Sequence, residues 1–288
     1  MSSVLPVGGF EPVGPDCRRA VVPSPWPPRS VAVFLIDGGR PWLVDAGAGS
    51  TESVEALRRA LTEELGPYSE PAGVILSHNH LDHSGGLEAL DPESVIAHEA
   101  AVDLFEADIR TPSGLPFTRL RGSSGAIPGV PGWQWILAEG HAPGHLLLWN
   151  PESATLLAAD QFLLGLKTPL RIADPDEDSF GAYLESLDRV AELEPAVMLS
   201  GHTEAIREPA KWLDRERRRL IRQLERTRDA VKSGARTAEE VTHRTYGSVP
   251  GEGARQLLLR EKLAALRHLA ARGEVRRHRT EELESFSA

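Results

Sequence analysis

The segment His78-Asn79-His80-Leu81-Asp82-His83 puts three imidazoles and a carboxylate into six residues of a 288-residue chain that has only ten histidines. Neutral imidazole nitrogen and carboxylate oxygen are the ligands of zinc and related divalent ions, so metal binding is the chemistry this spacing points to. The apolar run Gly73-Val74-Ile75-Leu76 just upstream reads as a short buried strand, and Ser77 opens a turn. The ligands therefore fall at a strand's C-terminal end, where α/β folds build their sites. Gly85-Gly86 follows and is expected to let backbone and metal approach closely.

Three later segments also end an apolar run on His or Asp: Gly140-His141-Ala142-Pro143-Gly144-His145, Leu157-Ala158-Ala159-Asp160 and Leu199-Ser200-Gly201-His202. Upstream lies Trp42-Leu43-Val44-Asp45-Ala46-Gly47. This order of motifs, spanning about residues 30–205, resembles the metallo-β-lactamase superfamily. The resemblance implies that His78, His80 and His141 bind one metal, that Asp82, His83 and His202 bind a second, and that Asp160 bridges them beside a water or hydroxide. It implies two Zn²⁺ per chain, with iron or manganese as alternatives, since His/Asp sites accept all three. Two metals with open positions give a hydroxide nucleophile near neutral pH. No protein nucleophile is then needed, in keeping with the absence of a Gly-x-Ser-x-Gly motif. Asp82 and Asp45 are the candidate catalytic carboxylates, Asp45 by fixing a ligand's orientation through a hydrogen bond. His145 is a candidate substrate contact or a support for a ligand, a structural role being equally open, and His98 reads as structural. His243, His268 and His278 are expected to be exposed.

Asp160 also bears on the reaction. The resemblance implies that true β-lactamases use another residue type there, whereas thioester hydrolases, lactonases and nucleases keep the Asp. Only 42 positions separate Asp160 from His202, too few for the domain that dedicated mRNA-processing nucleases insert. The tail resembles that of the β-lactamase-like protein 2 branch, which includes a single-strand endoribonuclease and thioesterases of carrier-bound acyl chains. The expected activity is hydrolysis of an ester, thioester or lactone, the partner being a small-molecule or acyl-thioester substrate. Cleavage of single-stranded RNA is the alternative, and a nucleic-acid-binding winged helix is a reading of another class. Arg110, Arg119 and Arg121 are the only Lys/Arg between Arg59 and Lys167. They border or lie in a Pro/Gly-rich loop at 111–132, expected to act as a lid, where arginine suits an anionic group.

The elements that must position these residues are legible in outline. Val31–Ile36, the turn Asp37-Gly38-Gly39 and Trp42–Val44 read as a β-hairpin. Helices are expected over about 52–65, 85–90, 99–107 and 178–192, and strands at 74–76, 95–97, 133–138, 146–149, 154–158 and 196–199. Residues 1–29, including the lone Cys17, are rich in Pro and Gly and read as irregular. The fold class implied is α/β, a four-layer αββα sandwich over 1–207. Residues 208–288 are expected to form a long linker helix at about 210–232, a helix opened by the capping box Thr237-Ala238-Glu239-Glu240, an amphipathic helix at about 252–272 and a short strand, a winged-helix-like layout. Charge is uneven: residues 1–207 hold 13 Lys/Arg against 29 Asp/Glu, whereas 208–233 are net +4 and 234–288 net +2. The acidic region suits cations and disfavours polyanions. No apolar run is long enough to cross a membrane, one cysteine excludes an internal disulfide, and no secretory signal is visible. A cytoplasmic protein, single or paired as a homodimer, is the expectation.

Overall fold

The computed structural model describes residues 5–67, 69–108, 114–249, 251–280 and 284–288. Along them run β1 (Gly8–Gly14), β2 (Cys17–Pro23), β3 (Ser30–Ile36), β4 (Trp42–Val44), α1 (Thr51–Leu65), β5 (Val74–Ile75), α2 (Leu81–Ser84), α3 (Leu87–Leu90), β6 (Val95–His98), α4 (Glu99–Ala107), β7 (Phe117–Leu120), β8 (Ser124–Ala126), β9 (Gln134–Leu137), β10 (Leu146–Asn150) and β11 (Thr155–Ala159). Then follow α5 (Ser179–Leu193), β12 (Val197–Ser200), α6 (Pro209–Lys232), α7 (Ala238–Tyr246), α8 (Glu252–Ala271), β13 (Arg276–Arg279) and β14 (Glu284–Ser287). The residues divide into two compact units, 1–138 with 142–168 and 193–209, and 139–141 with 169–192 and 210–288. The sequence boundary at 207/208 differs from this grouping, which places α5 and the loop before it with the C-terminal helices.

The first unit is built on two sheets. One has the strand order β1-β2-β3-β4-β5-β6-β7, the other β12-β11-β10-β9-β8. β1 to β4 pair antiparallel and β4 to β7 parallel, with helices in the crossovers. Strand β3 shows why the layers form. Ala32, Phe34 and Ile36 face a core shared with Leu146, Leu148, Leu157 and Leu199 of the second sheet. Val31, Val33 and Leu35 point the other way, onto Leu57 and Leu61 of α1 and Val102 and Phe105 of α4. Period-two alternation on a strand buried on both faces produces this helix–sheet–sheet stack. Helix α1 starts where Ser50 caps the Ser53 amide at 3.3 Å and stops at Gly66, whose φ of +94° suits glycine.

Two expectations fail here. Residues 8–23 are not irregular: they form the β1–β2 hairpin, with β1 a bulged edge strand. Nor are residues 114–132 a free loop. β7 extends the first sheet beside β6, and β8 edges the second beside β9, so much of the supposed lid is hydrogen-bonded framework. Arg110 and residues 111–113 lie outside the described residues. Cys17 is buried on β2, where burial pushes its thiol up.

The second unit contains helices α5 to α8 and the β13–β14 hairpin. Val231, Val241, Leu266, Leu269, Val275 and Phe286 form its core. Thr237 caps α7 as expected, accepting from the Glu240 amide at 3.2 Å, while Glu240 accepts from the Arg236 amide at 2.5 Å. Helix α8 differs from a simple amphipathic helix: Glu261, Lys262, Arg267 and His268 are buried along with its apolar residues. Among the described residues no helix is long and apolar enough to cross a membrane.

Candidate metal centre

The loops that follow β4, β5, β11 and β12 carry Asp45, the His78–His83 run, Asp160 and His202. Two of the strand ends are bent to do this. Asp45 has φ +62° and Ala159, just before Asp160, has φ +41°. Non-glycine residues in this region cost about 1–3 kcal/mol each. Close backbone packing holds the turns together. A Cβ on Gly86 would meet the Ala46 carbonyl oxygen at 2.1 Å, and one on Gly85 would meet the Gly49 amide nitrogen at 2.6 Å. The Gly85-Gly86 pair therefore admits neighbouring backbone, the close approach expected of it. Gly201 is different: its Cβ would sit 2.5 Å from Asp160 Oδ1 and 2.9 Å from the His83 ring.

Two groups of potential ligand atoms form, each with all its atoms within 4.8 Å of one another: His78, His80, His141 and Asp160, and Asp82, His83 and His202. The seven side chains expected from the motifs are thus brought together. Asp160 touches the second group too. Its Oδ1 is 3.3 Å from His83 Nε2 and its Oδ2 is 3.2 Å from His202 Nε2, while Asp82 Oδ2 is 3.3 Å from the same nitrogen.

Oxygen acceptors fix the other ring nitrogens. His83 Nδ1 donates to Asp45 Oδ2 at 2.7 Å, His202 Nδ1 to the Ser30 carbonyl at 2.7 Å and His141 Nδ1 to the Pro169 carbonyl at 2.9 Å. A carboxylate or carbonyl only accepts, so one proton is held on Nδ1, which leaves Nε2 as the nitrogen a metal would take. Asp45 is itself held by the Ser77 amide and hydroxyl, both at 2.7 Å. Fully buried at 1% exposure, it orients His83. Ser77, Ser30, Pro169 and Gly201 are the positioning residues the motifs did not single out. Ser77 and Gly201 adjoin ligand positions, which is the signal that marks them. Ser30 and Pro169 act through carbonyls that every residue type carries.

The centre fits a cation. His83 Nε2 is buried without a hydrogen-bond partner, and the donor set is imidazole nitrogen and carboxylate oxygen. Burial would raise the Asp160 carboxyl, but His202 and His83 hold it well below the usual range. Burial would lower His83, yet Asp160 and Asp45 raise it well above the ordinary imidazole value. His202 is likewise desolvated, and Asp160 pushes it up to about 10. Asp82 is lowered: burial opposes this, and the hydrogen bond with His202 outweighs it. A carboxylate-rich pocket that draws protons onto its imidazoles is one that a divalent ion would discharge.

The expected substrate contacts are placed differently. His145 has no exposed surface and stacks on His78 at 4.9 Å between ring centroids, the arrangement of a side chain that supports a ligand. Arg119 pairs with Asp103 at 2.5 Å and Glu106 at 2.6 Å, and Arg121 with Glu99 at 2.9 Å. His98 caps α4, accepting from the Ala100 amide, and donates to the Gly122 carbonyl, a structural role. His243 and His278 are exposed as expected, but His268 is buried and bonded to Asp178 at 2.8 Å.

Comparison with known proteins agrees with this geometry. The chain is 26% identical over 249 residues to the probable metallo-hydrolase YqjP of Bacillus subtilis (strain 168), covering 72% of this chain and 77% of that protein. In fold it is similar to a β-lactamase domain protein from Burkholderia ambifaria, with TM-score 0.83 at 20% identity over 98% of this chain and 94% of that one. It is also similar to a metallo-beta-lactamase family protein from Thermus thermophilus, with TM-score 0.73 at 23% identity over 95% of this chain and 98% of that one. Since the model of the metallo-beta-lactamase superfamily matches residues 26–202, which carry every one of the converging ligand residues, the chain belongs to that superfamily.

Proposed function

We propose that this metal-dependent hydrolase works with two divalent ions, zinc in the first place and iron or manganese as alternatives, and cleaves an ester, thioester or lactone. The observation that carries the reading is the position of Asp160, within ligand distance of the first group and with its two oxygens facing His83 and His202 of the second. His78, His80 and His141 would hold one ion, Asp82, His83 and His202 the other, and Asp160 would join them. When bound, the pair supplies a hydroxide nucleophile at neutral pH and polarises the substrate carbonyl. The chain's own part is to hold each imidazole in one tautomer, through Asp45, the Ser30 carbonyl and the Pro169 carbonyl.

Charge favours an acyl substrate over RNA. A phosphodiester backbone is bound by Lys and Arg side chains that displace the counterions condensed on it, and Arg119 and Arg121 are already paired with carboxylates. The tail lends little to a nucleic-acid reader: Lys262 and Arg267 of α8 are buried, and Arg255 pairs with Glu239 and Glu252. The test is a panel of p-nitrophenyl esters, acyl thioesters, lactones, bis-p-nitrophenyl phosphate and short single-stranded RNA, assayed with zinc-replete protein. An acyl substrate should exceed the phosphodiesters by at least roughly tenfold in kcat/KM, about 1.4 kcal/mol in barrier, with activity lost on chelation and restored by zinc. Preferential cleavage of RNA would contradict it.

A further inference from the structure

Within the second unit, a chain of contacts leads from the C-terminal helix to His141. Residues 169–178 form a strap with no helix or strand of its own. Its first end clamps the His141 turn at two points: the Pro169 carbonyl accepts from His141 Nδ1 at 2.9 Å, and the Arg171 amide donates to the Gly140 carbonyl at 2.9 Å. Gly140 is pressed against α5, where a Cβ would lie 2.8 Å from Tyr183 Cβ. The middle of the strap is held by the tail. Arg267 of α8, only 8% exposed, donates through Nη1 to the carbonyls of Ile172 and Asp174, both at 3.0 Å. Its remaining donors, Nε and Nη2, are fixed by Glu284 of β14 at 3.1 and 2.9 Å. Asp176 lies 3.6 Å from both Arg277 and Arg279 of β13, and Asp178 accepts from His268 of α8 at 2.8 Å.

We propose that α8 and the β13–β14 hairpin are a positioning device for His141, acting through the strap, with Arg267 as the principal positioning residue. This rests on the reading of His141 as a ligand. A buried guanidinium with a bidentate carboxylate behind it is a rigid fork. Directing one of its nitrogens at two strap carbonyls removes the strap's freedom where no ladder does so. A ligand must be held to within roughly half an ångström and 10–20° to bind well, and loss of a supporting contact around a metal ligand typically costs about 10–100-fold in affinity. The tail thereby serves the metal centre without touching substrate. This accounts for the burial of Arg267 and His268, which a solvent-facing reading helix would leave exposed.

The test is stepwise zinc competition against a chelator, with Co²⁺ absorption spectra and circular dichroism in parallel, on wild type, Arg267→Met and Arg267→Lys. Arg267→Met is expected to keep its helical signal but to bind one of two ions roughly tenfold or more weakly, the other within about twofold, with a changed Co²⁺ band for the weakened ion only. Arg267→Lys should rescue part of the loss, because an ammonium can reach a strap carbonyl but lacks the fork. Asp178→Asn, altered on the strap itself, should show the same one-ion weakening and serves if Arg267→Met does not fold. Folded variants with both affinities unchanged, or with both falling together as stability falls, would overturn the proposal. A wild type that binds fewer than two ions would instead overturn the ligand reading on which it stands.

Discussion

Each of His83, His141 and His202 gives one ring nitrogen to an oxygen acceptor and keeps the other for the centre. Asp45 is the side-chain acceptor among the three, and it already takes two hydrogen bonds from Ser77. Asp45→Asn would place an amide NH₂ against donors. It should therefore leave a folded protein whose second ion is bound about 10–100-fold more weakly, measurable by chelator competition. The metal-free titration has a definite sign. The raised His202 imidazole contributes stability that is complete below its ordinary value of 6.5 and is lost as pH rises through about 10. The depressed Asp160 carboxylate contributes stability present above 3.8 and lost as pH falls through its folded value. Thermal melts of metal-free protein should thus show falling stability from pH 6.5 to 10. Zinc must displace the His202 proton, so its apparent affinity should rise by up to about tenfold per pH unit over that window; a flat profile would contradict the assignment. The ligands were legible in the sequence because metal binding needs few residue types at close spacing. The burial of His145, Lys262 and His268 was not, because it depends on partners far along the chain, such as Asp178 for His268.

Elements with strong periodicity or clear caps match their sequence signals: the β3–β4 hairpin, α1 between Ser50 and Gly66, and α7 from Thr237. The β1–β2 hairpin was hidden by its glycines and prolines, which an edge strand with bulges tolerates and a central strand does not. β7 and β8 were hidden in the same way, being short edge strands bounded by turn residues. Helix α8 misleads for another reason: its charged residues are satisfied internally, as Glu261 is by Arg219 at 2.5 Å, so the burial pattern departs from the hydrophobic one. Leu266, with no exposed surface in the C-terminal core, is the position that tests whether this core is real. Leu266→Ala should cost about 2–5 kcal/mol in denaturant unfolding. A loss below about 1 kcal/mol, typical of a surface change, would mean that α8 is not packed as described.

At the scale of the whole chain, an acidic catalytic region carries a centre whose candidate ligands come from loops spread between His78 and His202, which is why only the fold can assemble it. Superfamily membership and the layering followed from the order of the motifs and of the strands and helices between them. Substrate did not, because the residues offered for it, Arg119 and Arg121, were chosen by charge alone, and both are paired with carboxylates of the same chain. The central claim is that seven side chains hold two ions per chain. Elemental analysis of gently purified protein, repeated after zinc addition and gel filtration, tests it most directly. The account predicts close to two metal ions per chain, mostly zinc. A content fixed at one, unchanged by added zinc, would contradict it.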